Sequence, residues 1–323
     1  MAAPAVSVLI PTVSRLGFLR RAVDSVLAQS FANLEVVVID DGPSNPIAEF
    51  VGSHPDPRVR LVRHERRRGV AAARNTGIAA SAGENVAFLD DDDVWLPTKL
   101  ERQMEAVDRG ADVVHTLVYI ADAEGNVYEE PTQAGFRLFR EVAAAGYPYD
   151  WLVRRSSFVI NTFLVRRRCV EEVGGFDESL SGVDDVDYVH RLWRRYPLTL
   201  VDEPLVKYCF HGRNQVYSKD PAVSIRLAAK ELDWLAHAEV PKEREIRAYH
   251  HLQVAQASWI GGQYRRAVAP ALRARRLDPS VLSAKTLVKY VAAALLPARV
   301  VNDARSRTRD LRVPAEPYPW VEL

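Results

Sequence analysis

The sequence predicts an α/β fold with an open, mostly parallel sheet and helices on its faces. Two observations favour this class. Short runs rich in Val and Ile alternate with helical patterns through the first hundred residues, and acidic or turn-forming residues follow those runs directly. Such runs are typical of strands buried on both faces. Because ligands bind beyond the carboxyl ends of such strands, we expect the functional residues there.

The predicted elements of the first two thirds follow in order. The strands are expected at 6–10, 35–39, 59–62, 86–89, 113–120 and 158–165. The first helix lies between the first two strands, with Ser14 as its expected cap and with one buried face formed by Phe18, Leu19, Ala22, Val23, Val26 and Leu27. Further helices are expected at 70–80 and 186–195. These elements form one domain, residues 1–217.

The last third, residues 218–323, is predicted to be a helical region. Its helices are expected at 222–235, 243–260, 264–277 and 284–301, separated by Pro and Gly. Residues 263–312 carry twelve Lys and Arg against three Asp, a local charge of +9 in a chain of +1. Two interpretations stay open, a set of solvated basic helix faces or contact with an anionic membrane surface.

Composition excludes several classes of protein. The 323 residues are 48% hydrophobic and 26% charged, as in a folded globular protein, and a net charge of +1 disfavours a nucleic-acid partner. Cys169 and Cys209 are too few for a disulfide scaffold and are expected to be reduced. The N-terminus lacks a signal-peptide pattern, and the longest apolar run, 290–296, is too short for a bilayer span of about 20 residues. We therefore expect a cytoplasmic protein.

Four consecutive aspartates, Asp90 to Asp93, follow the fourth predicted strand. Their like charges repel one another, and a divalent cation would remove that repulsion. Carboxylate oxygens suit Mg²⁺ and Mn²⁺. The alternative is that Asp92 or Asp93 caps a helix that begins near residues 96–97.

The chain resembles the family 2 glycosyltransferases, which have the glycosyltransferase-A fold. Five stretches match in order over about residues 5–215: 6–12 (VSVLIPT), 36–42 (VVVIDDG), 69–77 (GVAAARNTG), 88–93 (FLDDDD), and 174–178 (GGFDE) with Asp184, Asp185 and Arg191. The resemblance implies that about 1–110 bind the donor and 111–217 the acceptor. It also implies an inverting, metal-dependent enzyme that uses a nucleoside-diphosphate sugar, with UDP first and dTDP second.

The same resemblance implies roles for single residues. Asp41 corresponds to the carboxylate that binds the nucleobase, and Arg74 to an arginine near the nucleotide. Pro11, Thr12 and Val13 line the base pocket. Asp90 and Asp91 belong to the donor site, since Asp90 is the first aspartate of the family's DxD motif. Asp92 is the last aspartate of that motif and the metal ligand, and His211 resembles a histidine that completes the shell of Mn²⁺ or Mg²⁺.

Asp185 aligns with the aspartate of the family's ED motif, and Asp184 replaces the usual glutamate. The resemblance implies that Asp185 accepts the proton of the acceptor hydroxyl. Both carboxylates would also suit the positive N-terminus of the helix that follows. The acceptor stays open among saccharides, lipid-linked sugars, peptides and small metabolites. Six residues either contact the acceptor or belong to the core: Trp95, Tyr147, Tyr149, Trp151, Asn161 and Thr162. Two rival functions remain, a nucleotidyltransferase of similar fold and a non-catalytic binding or scaffold subunit.

Overall fold

The computed structural model describes residues 3–42, 45–151, 158–211 and 220–307. The chain divides into two compact units. The sheet unit comprises Met1–Tyr147 and Ser157–Gln215, and the helical unit comprises Pro148–Ser156 and Val216–Leu323.

The described part of the sheet unit contains one mixed sheet of eight strands. They are β1 (Val6–Thr12), β2 (Leu34–Asp40), β3 (Val59–Arg63), β4 (Asn85–Phe88), β5 (Val94–Trp95), β6 (Val113–Asp122), β7 (Leu164–Arg166) and β8 (Leu198–Phe210). Their order is β3-β2-β1-β4-β7-β6-β8-β5. Strands β1 to β4 are parallel, as are β6 and β8, whereas β7 and β5 run antiparallel to their neighbours. The predicted α/β class is confirmed.

Helices cover this sheet where the apolar residues recur at helical spacing. They are α1 (Leu16–Leu27), α2 (Asn45–Gly52), α3 (Val70–Ala80), α4 (Lys99–Asp108), α5 (Glu129–Ala144), α6 (Arg167–Val173) and α7 (Asp184–Trp193). Helix α1 buries Leu19, Ala22, Val23 and Val26, which confirms four of the six residues of the predicted face, whereas Phe18 and Leu27 are half-buried. These side chains join a core with the inward residues of β1 and β2, such as Val8 and Val36.

Two details of the sheet unit differ from prediction. Ser14 does not cap α1, because Arg15 occupies the cap position, no side chain caps this end, and Ser14 itself lies in the left-handed region with φ +55°. The strand expected at 158–165 is confined to β7, after a 3₁₀ turn at Ile160–Thr162. In that turn Asn161 O accepts from Trp95 Nε1 and Thr162 O from Gln103 Nε2, so side chains satisfy carbonyls that a strand would pair.

The helical unit has its own core. Its described helices are α8 (Pro221–Leu235), α9 (Glu243–Ile260), α10 (Tyr264–Leu277), α11 (Ala284–Leu295) and α12 (Ala298–Arg307). Trp259 contacts the rings of Tyr264 and Tyr290, at centroid distances of 5.0 and 4.8 Å, among buried alanines of α10. The helical stretch predicted at 284–301, in which Pro297 was expected to act as a break, forms two helices, since Pro297 lacks the N–H that would continue α11.

Both cysteines are buried free thiols, as predicted. Cys169 lies in α6 and Cys209 in β8, where its backbone N–H donates to Asp93 Oδ1 at 2.8 Å. No helix in the described ranges combines the length and the apolar composition needed to cross a bilayer.

Candidate functional site

The candidate site lies at the carboxyl ends of β1, β2 and β4. These strands are parallel neighbours, and the register pairs Thr12 with Asp40 at their ends. After β4, Leu89 donates to Leu9 O at 3.0 Å, and Asp90 to Asp93 follow at once. The sheet therefore brings the residues after three strands to one edge.

Asp91 is fully buried and is held by the last residue of β1 and by the loop that follows it. Thr12 Oγ1 donates to Asp91 Oδ2 at 2.6 Å, and Arg15 Nε donates to the same oxygen at 3.1 Å. Arg15 also pairs with Asp91 Oδ1 through Nη2. Burial raises the pKa of Asp91 to about 7, and the Arg15 guanidinium opposes that rise. Arg15 thus supplies positive charge to the aspartate run.

Asp92 lies between a histidine and the same arginine. His211 Nε2 and Asp92 Oδ2 are 2.8 Å apart, and Arg15 Nη1 donates to that oxygen at 2.8 Å. The imidazole stacks on the Phe18 ring at a centroid distance of 4.7 Å, which fixes its plane. The two residues singled out as metal ligands are therefore adjacent.

This pair fits a divalent cation by its chemistry. A carboxylate and an imidazole suit Mn²⁺, and Mg²⁺ or Mn²⁺ bound by one or two protein groups completes its shell with waters and phosphate oxygens. Within the described residues, no cluster of three or more His, Cys, Asp and Glu side chains is arranged to hold a metal. A divalent cation at Asp92 and His211 therefore needs further oxygen ligands, which a bound diphosphate and water would supply.

The alternative assignment of Asp92 or Asp93 as a helix cap is wrong. Helix α4 begins at Lys99 and its cap position is Thr98. Asp93 is buried instead, and its carboxylate accepts two hydrogen bonds. Asn161 Nδ2 donates to its Oδ2, and the backbone N–H of Cys209 donates to its Oδ1. Asn161 Oδ1 also accepts from the backbone N–H of Asp90 at 2.9 Å. Burial raises the pKa of Asp93 well above its usual range.

Arg74 joins the aspartate run to the start of α7. It lies in α3, where its Nη2 donates to Asp90 Oδ1 and its Nη1 to Asp184 Oδ2, both at 2.8 Å. The Arg74 and Asp184 side chains are almost fully buried, whereas that of Asp90 is 29% exposed. A planar guanidinium makes two such bonds at a fixed angle. Arg74 therefore fixes the distance between two acidic groups far apart in the chain.

Asp184 and Asp185 occupy the first turn of α7, as the helix-dipole interpretation predicts. Asp184 uses both oxygens, because Oδ1 accepts from Gly182 N at 3.0 Å and Oδ2 from Arg74. Asp185 accepts one hydrogen bond from the described residues, from Val186 N at 2.9 Å. Burial and the charge of Asp184 raise the pKa of Asp185 to about 6, against the effect of Arg74. Of the two carboxylates, Asp185 is therefore the one whose oxygens can accept further hydrogen bonds.

Asp41 is buried at the end of β2 and orders the loop before α3. Its Oδ1 accepts from Arg68 N, and its Oδ2 from Gly69 N, both at 2.8 Å. Gly69 has φ +96°, a conformation that other residues rarely adopt. His64 Nδ1 lies 2.8 Å from Asp41 Oδ1. Pro11 is buried beside this corner and Val13 is half-buried.

Three residues of this edge were not singled out for these positions by the sequence. Arg15 and His64 were missed, and Asn161 was considered only for an acceptor contact. Arg15 had a signal, since four adjacent carboxylates after a strand require a cation nearby and Arg15 follows the neighbouring strand by three positions. Trp95 and Tyr147, also considered for the acceptor, are core residues with 2% and 5% exposure.

Comparison with known proteins assigns the family. The family model described as Glycosyl transferase family 2 matches residues 7–174, about half of the chain. The chain is 27% identical over 221 residues to a putative colanic acid biosynthesis glycosyl transferase of Escherichia coli, which covers 67% of this chain and 76% of that protein. An uncharacterised glycosyltransferase of Rickettsia felis is 36% identical over 132 residues, 41% of this chain and 22% of its own length. The chain therefore matches about a fifth of that relative.

Solved structures share the fold. S. aureus TarS 1-349, in complex with UDP-GlcNAc, aligns with a TM-score of 0.65 at 17% identity, covering 94% of this chain and 91% of that one. The mannosyltransferase PcManGT of Pyrobaculum calidifontis, in complex with GDP-Man and Mn²⁺, aligns with a TM-score of 0.54 at 20% identity, covering 91% and 87%. The sheet order, the acidic edge and the family match lead to one conclusion: this chain belongs to glycosyl transferase family 2 and has the glycosyltransferase-A fold.

Proposed function

We propose that this chain is a metal-dependent, inverting glycosyltransferase. It moves a sugar from a nucleoside-diphosphate sugar, with UDP as the first candidate and dTDP as the second, to an acceptor hydroxyl. The observation that carries the proposal is the Arg74 bridge between Asp90 and Asp184. The bridge brings Asp90 and the first turn of α7, which includes Asp185, to one edge, and this arrangement supports a transfer between two substrates.

On the donor side, Asp41 and the segment Pro11, Thr12 and Val13 form the nucleobase corner in this proposal. The backbone bonds of Asp41 order the loop. Its Oδ1 also faces His64 Nδ1, so Oδ2 is the oxygen with a lone pair that can accept from a base N–H. Asp90, with 29% side-chain exposure, faces the sugar and ribose. Asp91 is fully buried, so we propose that it acts on the donor through Thr12 and Arg15.

Asp92 and His211 are the proposed ligands of Mn²⁺ or Mg²⁺. When bound, such an ion neutralises charge that develops on the leaving diphosphate. The chain's own residues then orient the ligands, because Phe18 holds the imidazole plane and Arg15 holds the Asp92 carboxylate. The support for this step is the 2.8 Å Asp92–His211 contact.

Asp185 is the proposed general base. It accepts the proton of the acceptor hydroxyl while that oxygen attacks the anomeric carbon from the side opposite the diphosphate, which inverts the configuration. Asp184 is the positioning partner, since both of its oxygens already accept hydrogen bonds. For the acceptor we propose only a chemical class: a molecule with a free hydroxyl, such as a saccharide, a lipid-linked sugar, a peptide or a small metabolite.

We also propose a cytoplasmic location with peripheral membrane contact through the basic helical unit. The charge of 263–312, with twelve Lys and Arg against three Asp, supports that contact.

Calorimetric titration of UDP, dTDP and GDP, with and without Mn²⁺, tests the donor site. We expect a metal-dependent preference for one diphosphate. Incubation with the matching sugar donors then separates the reaction classes. Release of the nucleoside diphosphate from the sugar donor supports sugar transfer. Release of pyrophosphate in a parallel reaction, supplied with a nucleoside triphosphate and a sugar 1-phosphate, identifies a nucleotidyltransferase. Donor binding without turnover in the presence of candidate acceptors identifies the non-catalytic subunit. Folded protein that binds no diphosphate contradicts the proposed donor site.

A further inference from the structure

Helix α11 carries an outward stripe of apolar side chains. Val288 is 65% exposed, Val291 39% and Leu295 79%. These positions are three and four residues apart and therefore share one face of the helix. Leu296 and Val300 are also exposed, at 50% and 46%, so five of the eight large apolar residues exposed in the described ranges lie within 288–300. We call 288–300 the apolar stripe.

The opposite face of α11 is already used by the core of the helical unit. Tyr290 and Ala293 are buried, and Tyr290 contacts the Trp259 ring. The helix is thus held in place without the stripe. Val288 and Leu295 contribute little to that core, and a contiguous exposed apolar surface of this kind is typical of a binding face.

Basic side chains border the stripe. Lys285 lies at its N-terminal side and is exposed, Lys289 follows one turn later, and Arg299 is exposed beside Val300. Residues 279–302 contain neither Asp nor Glu. Around them, residues 263–307 carry ten Lys and Arg against two Asp, a local net charge of +8. An apolar face with a basic border is the pattern of helices that lie in the interface of an anionic membrane.

We infer that the apolar stripe with Lys285 and Arg299 docks on the surface of a bilayer that contains anionic phospholipid. Apolar side chains would enter the boundary between headgroups and acyl chains, and the basic side chains would contact phosphate groups. A second copy of the chain is disfavoured as the occupant, because two surfaces with this net charge repel each other. The inference deepens the membrane contact of the proposed function and rests on that contact alone, since no step of sugar transfer enters it.

Flotation of the full chain with vesicles tests the inference. We expect binding to vesicles that contain phosphatidylglycerol, weak binding to phosphatidylcholine alone, and loss of binding as salt rises. The double variant Val288→Ser with Leu295→Ser removes apolar contact, and Lys285→Glu with Arg299→Glu reverses charge. Each pair should weaken vesicle affinity by about tenfold or more.

Leu272→Ser is the matched control, because Leu272 is 48% exposed on α10 of the same unit and lies outside the stripe. We expect its affinity for vesicles to stay within about twofold of the unchanged chain. Circular dichroism and diphosphate titration on the same samples separate the two proposals, since a docking variant should keep its fold and its donor binding. Absence of flotation with either vesicle overturns the inference. So does self-association that the serine variants abolish, which would make the stripe a contact between copies.

Discussion

Arg74 Nη1 donates to Asp184 Oδ2 at 2.8 Å, although 110 positions separate the two residues. The second nitrogen of the guanidinium donates to Asp90 at the same distance. One buried side chain therefore sets the spacing between the acidic run after β4 and the first turn of α7. Because Asp185 follows Asp184 directly, this spacing also positions the proposed base relative to the donor.

Replacing Arg74 tests that spacing. Arg74→Lys keeps the charge but loses the planar fork, so it can satisfy one of the two carboxylates well. We expect a loss of about 1–3 kcal/mol in the free energy of unfolding, because a buried carboxylate is left without a full partner. Donor turnover should fall as Asp185 loses its position. Thermal unfolding and nucleoside diphosphate release measure the two effects.

Arg168→Lys is the control, since Arg168 pairs with Asp112 but its side chain is 58% exposed. We expect a change in stability within about 0.5 kcal/mol. If Arg74→Lys changes the free energy of unfolding and the rate of diphosphate release no more than this control does, the Arg74 bridge has no positioning role.

Asp185→Asn removes the proposed base with little change of shape. We expect diphosphate binding to persist and turnover to fall by about 10²–10⁴-fold, the usual contribution of a general base. Asp184→Asn makes the useful comparison, because it should lower stability through the Arg74 contact. Turnover retained by Asp185→Asn would move the base elsewhere.

The raised pKa of Asp185 predicts an acidic limb in the activity profile. Burial, followed by the charge of Asp184, raises it to about 6. A base acts in its deprotonated form, so activity is present above this pKa and is lost as pH falls through it. A profile of log kcat/KM against pH should rise with unit slope to a bend near pH 6. A flat profile through that region would contradict the assignment.

Much of the parallel half of the sheet could be predicted because its signal is local. Val36 to Ile39 form an uninterrupted apolar run, and the helical spacing of Leu19, Ala22 and Val26 marks a buried face. The acidic ends of β2 and β4 then place Asp41 and Asp90 at one edge. These features depend on neighbours within a few residues.

Apart from β6, which was expected at 113–120, the other half of the sheet could not be predicted in this way. Strand β8 runs from Leu198 to Phe210 through Asp202, Glu203 and Pro204, which read as a turn, and its pairing with β6 shifts register there. Strand β5 has two residues and forms only through β8. Likewise, the link from Asn161 to Asp93 spans 68 positions. Such pairings follow from tertiary contacts, which leave no periodic signal in the chain.

The metal pair gives a further prediction. Asp92→Ala should abolish the effect of Mn²⁺ on diphosphate binding, and His211→Ala should weaken it, because the two side chains are adjacent and Phe18 orients the imidazole. His237→Ala is a control, because His237 is exposed in the turn that follows α8. Calorimetric titration with and without Mn²⁺ measures the difference. A metal dependence that survives Asp92→Ala would remove this carboxylate from the metal shell.

Arg15 offers a test of how the aspartate run is neutralised from within the chain. Arg15→Met leaves Asp91 buried without its cation. We expect a loss of about 1–3 kcal/mol in the free energy of unfolding, because Arg15 is 35% exposed and the buried carboxyl can take up a proton. Asp91→Asn removes the buried charge instead. Combining the two should cost less than the sum of the single variants, by about 1–3 kcal/mol, because each change removes the other's unpaired partner. Urea unfolding of the four proteins measures this coupling. Additive losses would show that Arg15 and Asp91 do not stabilise each other, and the cation for the run would then have to come from a bound ligand.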